Sequence, residues 1–512
     1  MPATSAIFTL LEASAARDPR APALVGLNAS ISYGAMLAQI RRTARAIDAV
    51  VPAAGAIATI LPHTPHGVAA TLGALASGRT CIVLAAGDPP ERTLRILADA
   101  QPAAVLLDGE SDRTSSSIAG ARTLYFQDAF AAHAPDDWRP EPRLADDAPA
   151  VVHYTSGSTG APRGIALPLD AVLYRARSCN EMLALGPGKA LMTVSNAAAS
   201  SGFSFILAAT LTGARLALAD LGREGAGPFL RLATAERPDA FVAPAPTLRM
   251  LVRLPQAAAA FANVRIMRIG AAGLPTADLI AFRAMLPRDC AIDHTYASTE
   301  ANVIAEWIVP PDACLDEAAV PIGWPRAPHE LALLDANDVE VAPGEVGELV
   351  VTSPVISLGE WQGGRLVPGR MRPAHGRPGW RVFRTGDLIR RGQDGLLRFV
   401  ARADRQIKIN GRRIEPGEIE AALRRCPGVT DAIVAPDGNG GGPPLAAFVA
   451  APAKLHAGLM AELRTSLRAA LPRGLQHVPI TLVTAFPETR HGKIDLASLR
   501  ASPRVQQKEG AA

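Results

Sequence analysis

The chain has 512 residues, a formal net charge of +4 and 48% hydrophobic residues. This length allows roughly three domain-sized units with a large buried core. A near-neutral chain with few aromatic residues and no basic block argues against nucleic acid as a partner. No apolar run approaches the roughly 20 residues of a membrane span, and no signal peptide is recognisable at the start. We therefore expect a soluble, cytoplasmic protein with no membrane partner.

The cysteines are scattered along the chain without paired spacing. Disulfide frameworks and zinc sites both show such pairs in a sequence, so neither is predicted. We expect reduced, mostly structural thiols at Cys81, Cys179, Cys290, Cys314 and Cys426.

The first third of the chain alternates between helical and strand-like segments. Residues from about Ser5 to Val50 are predicted to be largely helical, and Pro90 to Ala100 to form a later helix. Short apolar runs lie between such stretches, and this alternation is typical of parallel strands joined by crossover helices. The fold class is therefore predicted to be α/β. The apolar runs are Ala56–Leu61, Thr80–Leu84 and Ala103–Asp108.

A loop dense in glycine and hydroxyl residues follows the apolar run Ala148–Val152. Glycines allow backbone amides to point at an anion, hydroxyl groups add donors, and Arg163 adds a positive charge. The loop is thus suited to hold phosphate, although most loops of this composition are plain surface turns. The Gly-Lys-Ser/Thr ending of a P-loop is absent. The candidate phosphate ligands are Thr155, Ser156, Gly157, Ser158, Thr159, Gly160 and Arg163.

The last third of the chain is organised differently. A β-rich region begins at Glu345 to Ser353. After Asp404, helices are predicted at Glu415 to Arg425 and Met460 to Leu471, with an extended segment at Ala432 to Ala435. A large N-terminal part and a small C-terminal part are therefore expected.

Four further segments accompany the phosphate loop in the order expected of the adenylate-forming superfamily. This superfamily comprises acyl-CoA synthetases, firefly-type luciferases and the adenylation domains of nonribosomal peptide synthetases. The chain resembles it from end to end, and is most similar to a free-standing adenylation enzyme. The segments are Tyr296–Glu300, Phe383–Leu388, Ala401–Gly411 with its continuation to Glu420, and Gly492–Asp495.

The resemblance implies two domains joined by a hinge. Residues 1–401 would form a large domain of packed α/β sheets with a β-rich subdomain, and residues 407–512 a small, mobile α+β domain. Residues 402–406 would be the hinge, with Asp404 as its pivot. The small domain would rotate between an adenylating pose and a thioester-forming pose. In the second pose, Lys408 and Gly411 would line the path of a phosphopantetheine thiol.

The implied reaction is the activation of a carboxylic acid by ATP to an acyl-adenylate, with release of pyrophosphate. Such a site must screen the carboxylate from the phosphates and stabilise charge on the phosphoryl oxygens. By resemblance, Thr299 would contact the α-phosphate and Glu300 would hold Mg²⁺. Lys493 would bridge the substrate carboxylate and the α-phosphate.

The resemblance also implies how the nucleoside is held. Tyr296 and the loop Gly270–Gly273, which includes Ala271 and Ala272, would sandwich the adenine. Asp387 would accept hydrogen bonds from both ribose hydroxyls, and Arg402 would be a second contact to ribose or phosphate.

The predicted substrate pocket has no acidic residue. Counting back from Leu211–Leu216 places Ser200 where domains that activate α-amino acids carry an Asp for the ammonium group. The window Asn196–Phe203 offers only amide, hydroxyl and apolar groups, and Ala272 stands where a Glu is usual. We therefore predict a neutral acyl or aryl acid, or an amino acid whose amine lies elsewhere, because a buried ammonium needs a partner. The pocket candidates are Ser200, Ser201, Gly202 and Ala272.

Asp293 and Glu306 are the nearest acids that could receive such a displaced amine. For each of the two acids, a structural role or a surface-exposed position is the simpler interpretation.

The acceptor of the activated acid is less clear from the residues. Gly87–Arg92 resembles a motif of peptide-synthetase domains but is three residues shorter, and a plain proline-rich turn would read the same. No phosphopantetheine site follows Lys493. We expect transfer to the phosphopantetheine thiol of a discrete acyl or peptidyl carrier protein, in secondary metabolism. The alternatives are an acyl- or aryl-CoA ligase using free CoA and, more remotely, a nucleotide-binding protein without catalysis.

Overall fold

The computed structural model describes the chain except for residues 1–2, 110–120, 132–133, 141–144, 146, 157–161, 271–272, 314–318, 404–406, 410–411, 415, 437–444, 471–477, 488–493 and 502–512. The chain divides into two compact units. The first comprises Met1–Ala332, Val350–Thr385 and Arg391–Arg398. The second comprises Leu333–Leu349, Gly386–Arg390 and Phe399–Ala512. The hinge at 402–406 stays a prediction, since Asp404 lies outside the described residues.

The first unit contains a nine-stranded sheet whose middle strands are parallel. The outermost pairs at each edge are antiparallel. In spatial order its strands are Trp324–Pro325, Asn302–Val309, Ala291–Ser298, Ile266–Gly270, Ala240–Pro244, Ala190–Thr193, Arg215–Leu218, Pro22–Val25 and Ser30–Ser32.

A second, eight-stranded sheet belongs to the same unit. Its parallel strands Ile57–Leu61 and Cys81–Ala85 are buried at every position, as expected of strands covered on both faces. Three antiparallel pairings extend it on one side. In spatial order its strands are Arg365–Val367, Gly359–Gln362, Pro162–Pro168, Pro149–Ser156, Cys81–Ala85, Ile57–Leu61, Ala104–Leu107 and Arg122–Tyr125.

One hydrophobic core joins the two sheets through helices. Helix Pro65–Ala76 is buried at every position except His66, and it begins where Thr64 Oγ1 accepts a hydrogen bond from the Gly67 amide. Helix Ser200–Thr212 is buried over its first eleven residues except Ser201, and it ends at Gly213 with φ +86°. The other helices of this unit are Ala3–Arg17, Tyr33–Val50, Pro90–Ala100, Phe126–Ala131, Leu169–Leu183, Leu221–Glu224, Ala226–Glu236, Ala245–Leu251, Ala257–Ala260 and Thr276–Met285.

Two further pairings involve short strands outside these two sheets. Leu274–Pro275 pairs with Ala319–Val320, and Arg372–Pro373 pairs with residues 381 and 382. The boundary between the two units passes through the segments of the β-rich region. The remaining strands of this region are Glu330–Leu334, Val346–Ser353, Arg381–Arg391 and Leu397–Arg402.

The C-terminal part of the second unit is an α+β layer. A three-stranded sheet contains one antiparallel and one parallel pairing, and its core includes Ile419, Val449 and Leu463. A hairpin of Ile407–Ile409 and Arg412–Ile414 precedes it. The sheet strands are Asp431–Pro436, Leu445–Ala450 and Ile480–Val483, and the helices are Pro416–Arg424, His456–Ala470 and Leu496–Ala501, with a 3₁₀ turn at Ala453–Leu455.

The α/β fold class is confirmed, and the predicted strands and helices of the first third agree within about one residue. The largely helical start was incomplete, because strands Pro22–Val25 and Ser30–Ser32 separate its two helices. Pro22–Val25 pairs with Arg215–Leu218, a partner far along the chain that no local pattern reveals. Four cysteines are free and buried, and Cys314 lies outside the described residues. Of the helices that the structure describes, none has the length and apolar character to cross a bilayer.

Candidate active site

The predicted phosphate loop lies at the turn of a β-hairpin. Thr155 on strand Pro149–Ser156 pairs with Arg163 on strand Pro162–Pro168, and Thr155 Oγ1 donates a hydrogen bond to the Arg163 carbonyl at 3.4 Å. Strand Pro149–Ser156 continues the parallel sheet, so its last residues lie at the carboxyl edge where α/β sheets bind ligands. Gly157, Ser158, Thr159 and Gly160 lie outside the described residues.

Glu300 is the centre of a buried ionic cluster. Its side chain accepts hydrogen bonds at Oε1 from Nη2 of Arg163 and from Nη2 of Arg370, each at 2.9 Å. Nη1 of Arg163 lies 3.6 Å from Glu360 Oε1. Glu300 is 8% exposed, and burial at low dielectric strengthens each of these interactions. The structure thus brings together two residues predicted from separate motifs, Arg163 and Glu300.

Arg370 was not predicted from the sequence. It follows Gly369, which has φ +56°, and its guanidinium lies over the Phe383 ring at 5.1 Å. No motif marks this turn, so only its contact with Glu300 identifies it as part of the site.

The residues around Glu300 fit a magnesium ion. Both arginines bond to Oε1, and Oε2 has no hydrogen bond from the described residues. Mg²⁺ is usually held by one or two carboxylates together with substrate phosphates and water. Among the described residues there is no group of three or more acidic, His or Cys side chains that could hold a metal alone. A metal bound at Glu300 would therefore be shared with the phosphates.

Thr299 and Glu300 stand in the turn between strands Ala291–Ser298 and Asn302–Val309. Ser298 Oγ accepts a hydrogen bond from the Ala301 amide at 2.9 Å, and Asn302 has φ +60°. The Asn302 side chain donates to the carbonyls of Ala171 and Val355. These contacts hold the turn in one conformation, and so fix the direction in which Glu300 points.

The predicted adenine residues lie at neighbouring strand ends. Gly270, the last residue of its strand, pairs in register with Thr295, which precedes Tyr296. Tyr296 is buried, and the register of its strand shifts at a bulge directly after it. Ala271 and Ala272 lie outside the described residues. Gly270 and Tyr296 are therefore close enough in register to act on one ligand.

The predicted ribose contacts belong to the second unit. Arg402 Nη1 donates to Asp387 Oδ1 at 2.9 Å, so the two residues form an ion pair. Asp387 is buried. Lys408 stands opposite Arg413 in the backbone register of two antiparallel strands. Lys493, Asp404 and Gly411 lie outside the described residues. Their roles stay predictions.

The predicted substrate window begins helix Ser200–Thr212. Ser200 is buried and its Oγ accepts a hydrogen bond from Arg175 Nη1 at 3.2 Å. A Cβ at Gly202 would lie 2.0 Å from the Asn196 carbonyl oxygen, so the window requires glycine there. Ser201 is half-buried. Arg175, which was not predicted, comes from helix Leu169–Leu183 and has no motif of its own.

The two acids considered for a displaced amine are both engaged by arginines. Asp293 Oδ2 accepts from Arg268 Nε at 2.5 Å, and Glu306 contacts both Arg268 and Arg326. Burial raises the pKa of Glu306 above its usual range, with Arg326 and Arg268 opposing that rise. The contacts support the structural interpretation of both acids.

These arrangements agree with the comparison of the chain with known protein families. Residues 11–361 match the AMP-binding enzyme family, and residues 418–493 match the AMP-binding enzyme C-terminal domain. The chain belongs to the AMP-binding enzyme family. The predicted membership of the adenylate-forming superfamily is confirmed.

Related sequences are parts of much longer proteins. Phenyloxazoline synthase MbtB of Mycobacterium tuberculosis is 31% identical in an alignment of 513 positions that covers 98% of this chain and 35% of that protein. The dimodular nonribosomal peptide synthase of Bacillus subtilis is 29% identical in an alignment of 506 positions that covers 96% of this chain and 20% of that protein. The chain therefore spans about a third or less of the length of these relatives.

Solved structures share the fold. MatB from Rhodopseudomonas palustris with bound ATP superposes with a TM-score of 0.81 at 21% identity, covering 98% of this chain and 99% of that one. A four-domain nonribosomal peptide synthetase bound to AMP and glycine gives a TM-score of 0.82 at 23% identity, covering 99% of this chain and 37% of that one. At these identities the likeness concerns the fold alone.

Proposed function

We propose that the chain activates a carboxylic acid with ATP, forming an acyl-adenylate and releasing pyrophosphate. The observation that carries the proposal is the contact between Arg163 and Glu300, which are 137 positions apart and join the phosphate loop to the Tyr296–Glu300 turn. A buried acid and two arginines, one of them at the end of the predicted phosphate loop, are in direct contact. An ATP-dependent acyl transfer needs this combination of charges.

The residues of the cluster have distinct proposed tasks. Arg163 and Arg370 hold Glu300 in place and supply positive charge near the β- and γ-phosphates. Thr299, in the same turn, would donate to the α-phosphate. When bound at Glu300, Mg²⁺ would neutralise charge on the phosphate oxygens and the departing pyrophosphate.

The nucleoside and the acid would be held by the other predicted residues. Tyr296 and Gly270 would contact adenine, and Asp387 with Arg402 would contact ribose. Lys493 would lie between the attacking carboxylate and the α-phosphate. As a flexible cation, Lys493 would lower the repulsion between these two anions.

The second step of the proposal is transfer to a phosphopantetheine thiol. We propose a carrier protein as the donor of that thiol and secondary metabolism as the setting, because one of the relatives reported above is a dimodular nonribosomal peptide synthase. Free CoA is the alternative acceptor. Either way the activated acyl group would move from adenylate to sulfur with release of AMP.

The test of the first step is ATP–pyrophosphate exchange over a broad panel of carboxylic acids. At least one acid should support exchange that depends on both ATP and Mg²⁺, and Glu300→Gln should reduce it by at least about tenfold, as expected for a lost metal ligand. Thr465→Ala, an exposed helical position in the second unit, is the matched control and should behave as the wild type. Full exchange in Glu300→Gln would contradict the role assigned to this cluster.

A further inference from the structure

Arg175 is a buried cation at the wall of the proposed substrate pocket. It is 6% exposed. Its Nη1 donates to Ser200 Oγ at 3.2 Å and to the Ser298 carbonyl at 2.9 Å. Ser200 begins the pocket helix, and Ser298 directly precedes Thr299 in the nucleotide turn. The guanidinium therefore lies between the substrate wall and the turn that would hold the phosphates.

The charge of Arg175 is not balanced by a carboxylate within the described part of the chain. Its two hydrogen-bond acceptors there are a hydroxyl and a carbonyl oxygen. The neighbouring buried Arg268, by contrast, is paired with Asp293 and Glu306. A buried charge without a counter-ion is costly, and natural proteins rarely keep one without a use.

One edge of the guanidinium makes no hydrogen bond to the described residues. Nε is buried and has no hydrogen-bond partner among the described residues, and Nη2 has none there either. Nε and Nη2 form the fork that binds a carboxylate through two parallel hydrogen bonds. Nη1 is already held by Ser200 and Ser298, so the fork has a fixed direction.

The surrounding groups lower the pKa of Arg175 but do not deprotonate it at neutral pH. Burial lowers the pKa of Arg175, as does the positive charge of Arg268, while the Cys179 thiol opposes the change. Arginine nonetheless remains protonated in proteins at neutral pH. The Arg175 guanidinium thus carries a permanent positive charge, and two of its nitrogens make no hydrogen bond to the described residues.

We infer that Arg175 binds a second carboxylate on the substrate, so that the acid activated by this chain is a dicarboxylic acid. One carboxylate would attack the α-phosphate, and the other would pair with Nε and Nη2 of Arg175. This inference rests on the proposed function and narrows the substrate, which the sequence indicated only as an acid without a buried ammonium. It replaces the expectation of a neutral acyl or aryl acid.

The test compares each diacid with its own monomethyl ester in pyrophosphate exchange, using malonate, succinate, glutarate, adipate and phthalate. The wild type should prefer one diacid over its monoester by at least about a hundredfold in kcat/KM, the scale on which a site built for a polar group rejects an analogue lacking it. Arg175→Gln should lose most of that preference, because its kcat/KM for the diacid should fall far more than its kcat/KM for the monoester. A wild type that prefers monoesters, or an Arg175→Gln that slows both members of a pair equally, would overturn the inference.

Two further variants protect the test against a folding defect. Ser200→Asp would place a carboxylate beside Nη1 of Arg175, and should raise the Tm while abolishing the diacid preference. Arg265→Gln is the matched control, since Arg265 is exposed and pairs with Asp289 at the surface. If Ser200→Asp kept the full preference for diacids, Arg175 would not be the group that confers it.

Binding measured without turnover separates the inference from the proposed function. Calorimetric titration of each diacid into the wild type in the absence of ATP should show binding of one diacid at least tenfold tighter than its monoester, and Arg175→Gln should reduce that difference. Diacid binding without any exchange would contradict the proposed reaction and leave Arg175 as a carboxylate site. Exchange with monoacids and no diacid binding would overturn the inference and leave the proposed reaction intact.

Discussion

At the scale of single residues, the candidate site is governed by how buried charges are paired. Glu300 is paired with two arginines, Arg268 with two acids, and Arg175 with no carboxylate of the described chain. In a medium of low dielectric, these differences decide which groups hold the protein together and which are available to a ligand.

Arg163 tests the phosphate contact. Arg163→Lys should retain most activity, because a flexible cation still reaches phosphate. Arg163→Ala should mainly raise the KM for ATP, by about tenfold or more for the loss of a charged contact. Initial rates at varied ATP measure both, with the exposed Arg365→Ala as control. Because Arg163 also approaches Glu360, complete loss in the Lys variant would show that its two-sided contact is essential.

Lys493 tests the catalytic step. Lys493→Ala should lower adenylate formation by at least about a hundredfold, the scale of one oriented donor removed from a transition state. Thioester formation from adenylate supplied in the assay should survive, because that step does not need the bridge between carboxylate and phosphate. Pyrophosphate exchange and thioester formation are measured in the same preparation. Exchange near the wild-type rate would refute the assigned role.

At the scale of elements, close backbone approaches shape the pocket. Helix Ser200–Thr212 begins where the Asn196 carbonyl faces Gly202, and the turn before Asn302 is held by side-chain bonds to two other segments. These local geometries place Ser200 against Arg175 and Glu300 against Arg163. Neither contact can be predicted from hydrophobic periodicity alone.

Gly202→Ala tests this packing. An added Cβ would meet the Asn196 carbonyl oxygen at 2.0 Å, which is backbone and cannot move away cheaply. We expect a loss of about 1–3 kcal/mol in the free energy of unfolding, typical of overpacking. Urea denaturation measures it. Gly186→Ala, where no heavy atom lies within 4 Å, should change stability by less than about 0.5 kcal/mol. Equal stability of both variants would contradict the predicted clash.

At the scale of the whole molecule, the chain combines a large unit with two sheets and one shared core with a smaller α+β unit. The family match covers parts of both. The relatives reported above continue well beyond the matching segment. Identifying the acceptor of the acyl group therefore requires experiments with candidate partners as well as with variants of this chain.

The acceptor of the acyl group is identified by comparing CoA with a panel of phosphopantetheinylated carrier proteins. One preparation of the chain is given its preferred acid, ATP and one of these acceptors at a time. At least one carrier should be acylated with a kcat/KM about tenfold or more above that for CoA, since a docked protein surface adds binding that free CoA lacks. Intact-protein mass spectrometry and CoA-thioester chromatography report the two products. Faster acylation of CoA than of every carrier would favour the CoA-ligase alternative.

Much of the fold could be predicted from the sequence because it depends on local patterns, and the resemblance to a family named the residues of a candidate site. Alternating apolar runs indicated the α/β class, Pro90 to Ala100 was predicted as the helix that forms, and the motifs pointed to Arg163, Thr299 and Glu300. Strand Pro22–Val25 could not be predicted, since its parallel partner is residues 215–218.

What only the tertiary structure decided is which charges meet. Arg370 reaches Glu300 across 70 positions, and Arg175 reaches Ser298 across 123. Neither arginine lies in a recognisable motif, and the sequence does not show whether an acid will neutralise it. Burial makes that question decisive, because the energy of a charge in the interior depends on the partners that folding brings within a few ångströms.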